Sequence, residues 1–182
     1  LAVLISQMEQ QEQLSIDTET TAISPRIAEI VGYSFAWRPG QAFYVPVRGP
    51  EGDRVLDPAD TAAALKPIFE NPVIAKIGQN IKYDIIVLRT LGIELRGIVF
   101  DTMVADYLID SGERSHNLDH LAKKYLGHET IRISEIIGSG KNQLRMDQAP
   151  VAAVGEYAAE DADVPLRVLP ILADRLSADD AK

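Results

Sequence analysis

The chain has 182 residues, 46% hydrophobic and 25% charged, which suits one domain with a packed core and leaves little room for a second. It has no cysteine, which excludes disulfides, thiolate zinc sites and cysteine nucleophiles and suits a reducing compartment. The formal net charge of −9 argues against nucleic acid, since phosphate affinity comes from Lys and Arg, unless bound divalent cations reverse the local field at a carboxylate site. No apolar run nears the roughly 18 residues of a membrane span, and nothing reads as a signal peptide. Starting at Leu1 rather than Met, the chain reads as a piece of something longer.

Residues 1–13 carry a polar Gln/Glu run and read as a lead-in or a short helix. Leu14-Ser15-Ile16 reads as a strand end that runs into Asp17-Thr18-Glu19. Ile30 to Trp37 is rich in β-formers, Arg38-Pro39-Gly40 breaks it, and Ala42 to Val47 is the returning strand, so the first fifty residues form an antiparallel meander. A Gly/Pro/Asp-rich loop from Gly49 to Pro58 follows. From there helices alternate with strands. Pro58 to Glu70 has helical spacing, with Leu65, Ile68 and Phe69 on one face. Val73 to Gly78 is an apolar strand of the kind buried in a parallel sheet. Asn80 to Leu91 is a helix stopped by Gly92, and Ile98 to Asp101 is a strand leading into a helix through Ile109. Asn117 caps a helix that Gly127 ends near Leu126. Gly138 to Asn142 is a loop, and a last helix runs from about Asp147 to about Leu176 with a bend near Pro165. The sum is one α/β domain.

The acidic residues fall at informative spacings. Asp17 and Glu19 lie two apart on extended backbone, so both side chains point to the same face. Asp84 follows Asn80 by four residues, and Asp161 follows Tyr157 by four, each pair on one helical stripe. Taken singly, Asp17 reads as a turn cap, Asp84 as a polar residue in the first turn of a helix, and Asp161 with Asp163 as a solvated face. Gathered in one sheltered place, such carboxylates repel one another unless something positive is present. An all-oxygen set favours Mg²⁺ or Mn²⁺ over zinc. Two such ions, about 3.5–4 Å apart, support phosphodiester hydrolysis by activating water and stabilising the leaving oxygen. A tyrosine beside that water orients it, since its ordinary pKa is about 10. Spacing alone leaves open whether these distant residues converge.

Other candidates are weaker. Gly138-Ser139-Gly140-Lys141 fails as a phosphate loop, because Glu135 stands at the first glycine position and Asn142 replaces the Ser or Thr. His116, His120 and His128 are expected in surface or capping roles, and Asp101 in a structural role at a strand-to-helix turn.

Asp17-Thr18-Glu19, Gln79-Asn80-Ile81-Lys82-Tyr83-Asp84 and Tyr157-Ala158-Ala159-Glu160-Asp161 resemble the three exonuclease motifs of the DEDD superfamily, in the branch with tyrosine in the third. Gly92 to Met103 and Gly140 to Leu144 are similar to the proofreading domains of bacterial DNA polymerases I, and the likeness covers roughly Leu14 to Leu172. The resemblance implies an RNase H-like α/β fold: a five-stranded mixed sheet, first three strands antiparallel, with flanking helices. It implies a 3′→5′ exonuclease domain over residues 14–176, with 177–182 a tail leading to a polymerase domain; an N-terminal 5′-nuclease region is a further expectation. Asp17, Glu19, Asp84 and Asp161 would hold two divalent metal ions, Asp17 bridging them. Tyr157 would position the water that releases 5′-mononucleotides from a single-stranded or frayed DNA 3′ end.

Thr18, Gln79, Asn80 and Tyr83 are the implied substrate contacts, with Ile23 as an apolar wedge between the last bases. A second wedge falls near Ile133, where an aliphatic side chain lacks the π face that makes stacking favourable. Lys82, Arg96 and Lys141 are either phosphate contacts or plain surface charge. The implied location is cytoplasmic and nucleoid-associated, with no membrane partner. Two alternatives stand: an exoribonuclease similar to RNase D, and an inert module that supports a polymerase. Some bacterial relatives of the domain have lost their carboxylates, whereas this chain keeps all four and the tyrosine, which favours activity.

Overall fold

The structure, a computed structural model, describes residues 1–180. Its centre is a five-stranded sheet of order β3-β2-β1-β4-β5, built from β1 (Gln13–Thr20), β2 (Ile30–Arg38), β3 (Gln41–Pro46), β4 (Ala75–Gly78) and β5 (Ile98–Asp101). The first three strands are antiparallel, whereas β4 and β5 run parallel to β1. This is the mixed sheet expected from the motifs. Alternation along the strands divides the side chains between two helical layers.

On one face, Leu14, Ile16, Tyr33 and Phe35 are buried under α1 (Ala2–Met8), α2 (Pro58–Glu70) and α3 (Lys82–Thr90). Asp57 caps α2 by accepting from the N–H groups of Ala59 and Asp60, each at 2.9 Å, with Pro58 at the first helical position. Phe69 of α2 packs between Tyr33 and Phe35, with ring centroids 5.9 and 5.8 Å away. The expected lead-in contains the short helix α1, which is part of the core: Met8 is fully buried.

The opposite face carries Ala36 and Ile77 and is covered by the long helix α7 (Val151–Asp180). This helix starts four residues later than expected, after a 3₁₀ turn at Met146–Gln148, and continues four residues beyond Leu176 into the expected tail; Ala181 and Lys182 lie outside the described residues. Pro165 and Pro170 both lie inside it. Asp163 of α7 accepts from the backbone N–H of Gly40 at 2.6 Å, pinning the β2–β3 turn to the helix.

The remaining helices are α4 (Thr102–Ile109), which ends at Ile109 as expected, α5 (Leu118–Leu121) and α6 (Ile133–Ile137). Asn117 caps α5 as expected, but the last turn, Ala122–Leu126, is π-helical before Gly127 ends it with φ 62°. A short helix α6 and a 3₁₀ turn at Gly140–Asn142 occupy stretches read as loop or left unassigned.

His116 departs from its expected surface role. Its ring is 2.5 Å from Asp106, a fully buried carboxylate of α4 that also accepts from Lys124 at 3.0 Å and from the Tyr125 hydroxyl at 2.5 Å. His128 pairs with Glu160 at 2.7 Å, and His120 Nε2 is buried without a partner. Among the described residues no helix is long and apolar enough to cross a membrane.

Candidate active site

Parallel pairing of β1, β4 and β5 brings their carboxyl ends to one edge of the sheet, the usual place for a site in such folds. Asp17 and Glu19 stand near the end of β1 on the face covered by α7, which supplies Tyr157 and Asp161 one turn apart. Carboxylate oxygens of Asp17, Glu19 and Asp161 lie within 4.8 Å of one another. Asp84 reaches the same edge from the other layer, at the start of α3, and is buried. Thr18, between the two acids of β1 and pointing the opposite way, donates its hydroxyl to Asp84 Oδ1 at 2.6 Å. The four predicted carboxylates therefore come together, and the Thr18 side chain is committed to holding one of them.

Burial sets the electrostatics. It pushes the Asp17 carboxyl up to about 6, with the hydrogen bond from the Thr18 backbone working the other way. Glu19 is raised further, by burial first and then by the charges of Asp17, Asp161 and Asp84. Asp84 and Asp161 rise for the same reasons, burial leading and Asp17 following. Tyr157 is held protonated by burial and by Asp161 and Glu19. Glu19 Oε1 is buried with no hydrogen-bond partner, although buried polar atoms are nearly always paired. Mutually repelling carboxylates and an orphan oxygen fit a hard divalent cation.

The second motif is shaped by its turn. Asp101 accepts from the N–H groups of Asn80 at 3.1 Å and Ile81 at 2.9 Å while capping α4 through Met103 at 2.9 Å. That is the structural role expected of it, and it holds Asn80 at φ 56°. Gln79, expected on the substrate, has both polar ends tied: Nε2 donates to the His116 carbonyl at 2.7 Å and Oε1 accepts from Thr102. Asn80 Oδ1 accepts from Lys82 Nζ. The Tyr83 hydroxyl donates to the Ala22 carbonyl at 2.5 Å and lies 2.6 Å from Thr20 Oγ1, fastening the loop that carries Ile23.

Ile23 is 95% exposed, and with Ile133 of α6 it lines a groove of about 380 Å³ that opens beside Thr18 and Glu19. The two expected wedges thus share one groove. Arg96 does not join them: it pairs with Glu94 at 2.6 Å near the start of β5, at the far end of the parallel strands. One residue of this shelter was read from the sequence only as part of a strand. Tyr44 of β3 has a buried hydroxyl without a partner and packs in the same apolar cluster as Tyr157.

A mixed sheet with carboxylates gathered at its edge and an apolar groove alongside defines an RNase H-like nuclease. Residues 1–177 match the family described as 3′–5′ exonuclease, and the chain belongs to that family as it occurs in DNA polymerase I enzymes. DNA polymerase I of Pseudomonas aeruginosa is 45% identical over 181 residues; the match covers 96% of this chain and 20% of that protein, so the chain spans about a fifth of its relative's length. Escherichia coli RNase D, an exoribonuclease, shares the fold with a TM-score of 0.71 at 18% identity, over 97% of this chain and 43% of that one. Brucella melitensis NrnC with bound Mg²⁺ does so with a TM-score of 0.70 at 21% identity, over 94% and 76%.

Proposed function

We propose that the domain hydrolyses phosphodiester bonds at single-stranded or frayed DNA 3′ ends with two divalent metal ions, Mg²⁺ or Mn²⁺, and releases 5′-mononucleotides. The observation that carries this reading is the convergence of Asp17, Glu19 and Asp161 within 4.8 Å, with Asp84 held beside them by Thr18. These four side chains would hold the ions. Bound there, the ions supply water activation and charge stabilisation at the scissile phosphate. The solved structure of NrnC with Mg²⁺ supports a divalent ion on this fold.

The chain's own residues supply the rest. Ile23 and Ile133, both lining the groove, grip the last bases. Tyr83 fixes the Ile23 loop, and the strand enters past Asn80 and Lys82. Tyr157, whose proton is held firmly, orients the attacking water through its hydroxyl and does not act as its base. In the parent chain a polymerase domain would deliver the mispaired end, which makes the activity proofreading.

The likeness to RNase D favours a second reading, in which RNA is the substrate. A 5′-labelled DNA oligonucleotide and its RNA counterpart, incubated with and without Mg²⁺ or Mn²⁺, separate the two. The expected result is a metal-dependent ladder shortening DNA from its 3′ end. Preferential shortening of RNA would replace this reading with the second, and a folded domain that cleaves neither would favour an inert module.

A further inference from the structure

Tyr44 lies where the chain makes room for it. A Cβ on Gly32 would fall 2.3 Å from Cε2, Cζ and Oη of Tyr44, so the phenol occupies the space that a side chain on Gly32 would take. Gly32 stands directly opposite Glu19 in the β1–β2 pair, and opposed residues send their side chains to the same face. The Tyr44 hydroxyl is therefore beside the Glu19 side chain. From the other side, Gly155 of α7 would place a Cβ 3.3 Å from Tyr44 Cδ1. Two glycines, one on a strand and one on a helix, thus admit a ring whose polar end reaches the carboxylate cluster.

Both atoms at that meeting point lack partners. The Tyr44 hydroxyl and Glu19 Oε1 are buried, and neither makes a hydrogen bond among the described residues. A packing role would be met as well by phenylalanine, which would bury no orphan hydroxyl. A phenol, with an ordinary pKa of about 10, carries its proton at neutral pH and is available as a donor.

We propose that Tyr44 is a positioning residue of the exonuclease centre: when Glu19 binds metal, the Tyr44 hydroxyl donates to its carboxylate, a bond not made in this structure, and fixes its orientation. The proposal rests on the metal-dependent reading above. Carboxylates that ligate metals are themselves hydrogen-bonded, and losing that partner weakens metal affinity about 10–100-fold. Tyr44 touches neither the strand nor the water in this scheme, and it acts through Glu19.

The test is a Mn²⁺ titration of the wild-type domain and of Tyr44→Phe, read by the paramagnetic resonance of free Mn²⁺. Thermal melts of the metal-free proteins and kcat and KM on single-stranded DNA accompany it. Tyr44→Phe is expected to melt at or above the wild-type temperature without metal and to bind Mn²⁺ about 10–100-fold more weakly. Its kcat should fall with KM for DNA unchanged, and raised Mn²⁺ should restore the rate. Wild-type Mn²⁺ affinity in folded Tyr44→Phe would overturn the proposal. So would a lower melting temperature or failure to fold, either of which assigns the hydroxyl to the fold. A wild-type domain that binds no Mn²⁺ would sink the metal-dependent reading itself, and that result needs no variant.

Discussion

Asp17 has three acidic neighbours at the site and, among the described residues, no basic side chain bonded to it, so its value lies in what it binds and not in what it stabilises. Its negative charge is half-buried beside those of Glu19 and Asp161. Asparagine at this position keeps the shape and removes the charge. The metal-free Asp17→Asn domain should therefore melt higher than wild type at neutral pH, by on the order of several °C. Hydrolysis should fall by about 10³ or more, since metal stabilisation of the transition state is worth several kcal/mol and each 1.36 kcal/mol is tenfold in rate. Paired melting curves and single-turnover assays check both halves. A variant that is destabilised as well as inactive would mean that Asp17 holds the fold, and near-normal activity would sink the two-metal reading.

At the scale of elements, the Asp106 cluster does the fastening that the sheet edge cannot. Asp106 on α4 is fully buried, and its partners come from the loop before α5 (His116) and from the π-helical turn (Lys124, Tyr125). Through the His116 carbonyl the cluster also bears on Gln79, in the second motif. Burial alone would raise the Asp106 carboxyl, but the hydrogen bonds from Tyr125, His116 and Lys124 outweigh it and hold the group below its ordinary value. Its stabilisation is thus present above the unfolded carboxyl pKa of about 3.9 and is lost as pH falls through the lower folded value. Removing one partner of a buried ion pair costs about 3–5 kcal/mol, and the lower end is expected for Asp106→Ala, because Lys124 keeps Asp110 at 3.7 Å and Glu113 at 3.8 Å. Denaturant melts at neutral pH and below pH 4 should show that deficit shrinking in acid. An equal deficit at both would place the cost in packing.

The same cluster shows what the sequence could and could not reveal. Strand alternation put Asp17 and Glu19 on one face and a four-residue stripe paired Tyr157 with Asp161, but it was the resemblance of the three motifs, not spacing, that brought them together with Asp84. Asp101 was legible as a structural residue at a strand-to-helix turn, where it caps α4. Asp106 was passed over inside a helical stretch, because its partners His116, Lys124 and Tyr125 lie 10 to 19 residues away. The short helix α6 lacks the length for a clear period, and Met8 alone does not reveal that α1 docks. Tyr44 looked like any β-former, since the space left by Gly32 and Gly155 exists only after strands and helix pair.

For the whole molecule the decisive quantity is charge. The chain carries 27 acidic and 18 basic residues, and the acids of the site add a local negative field where the proposed strand would lie. A binder that relies on Lys and Arg loses affinity as any salt rises, because its grip is the release of counterions. Here the cations must instead be brought to the protein. Divalent ions in the cluster would invert the field at the groove, whereas sodium at equal ionic strength would only screen it. An oligonucleotide with a cleavage-resistant 3′ linkage should bind the chelator-treated domain weakly, and adding Mg²⁺ should tighten it about tenfold or more, equivalent to about 1.4 kcal/mol. Sodium chloride at matched ionic strength should not tighten it. If affinity were the same with chelator and with Mg²⁺, the grip would belong to exposed groups such as Lys82, and the carboxylate cluster would serve chemistry without serving recognition.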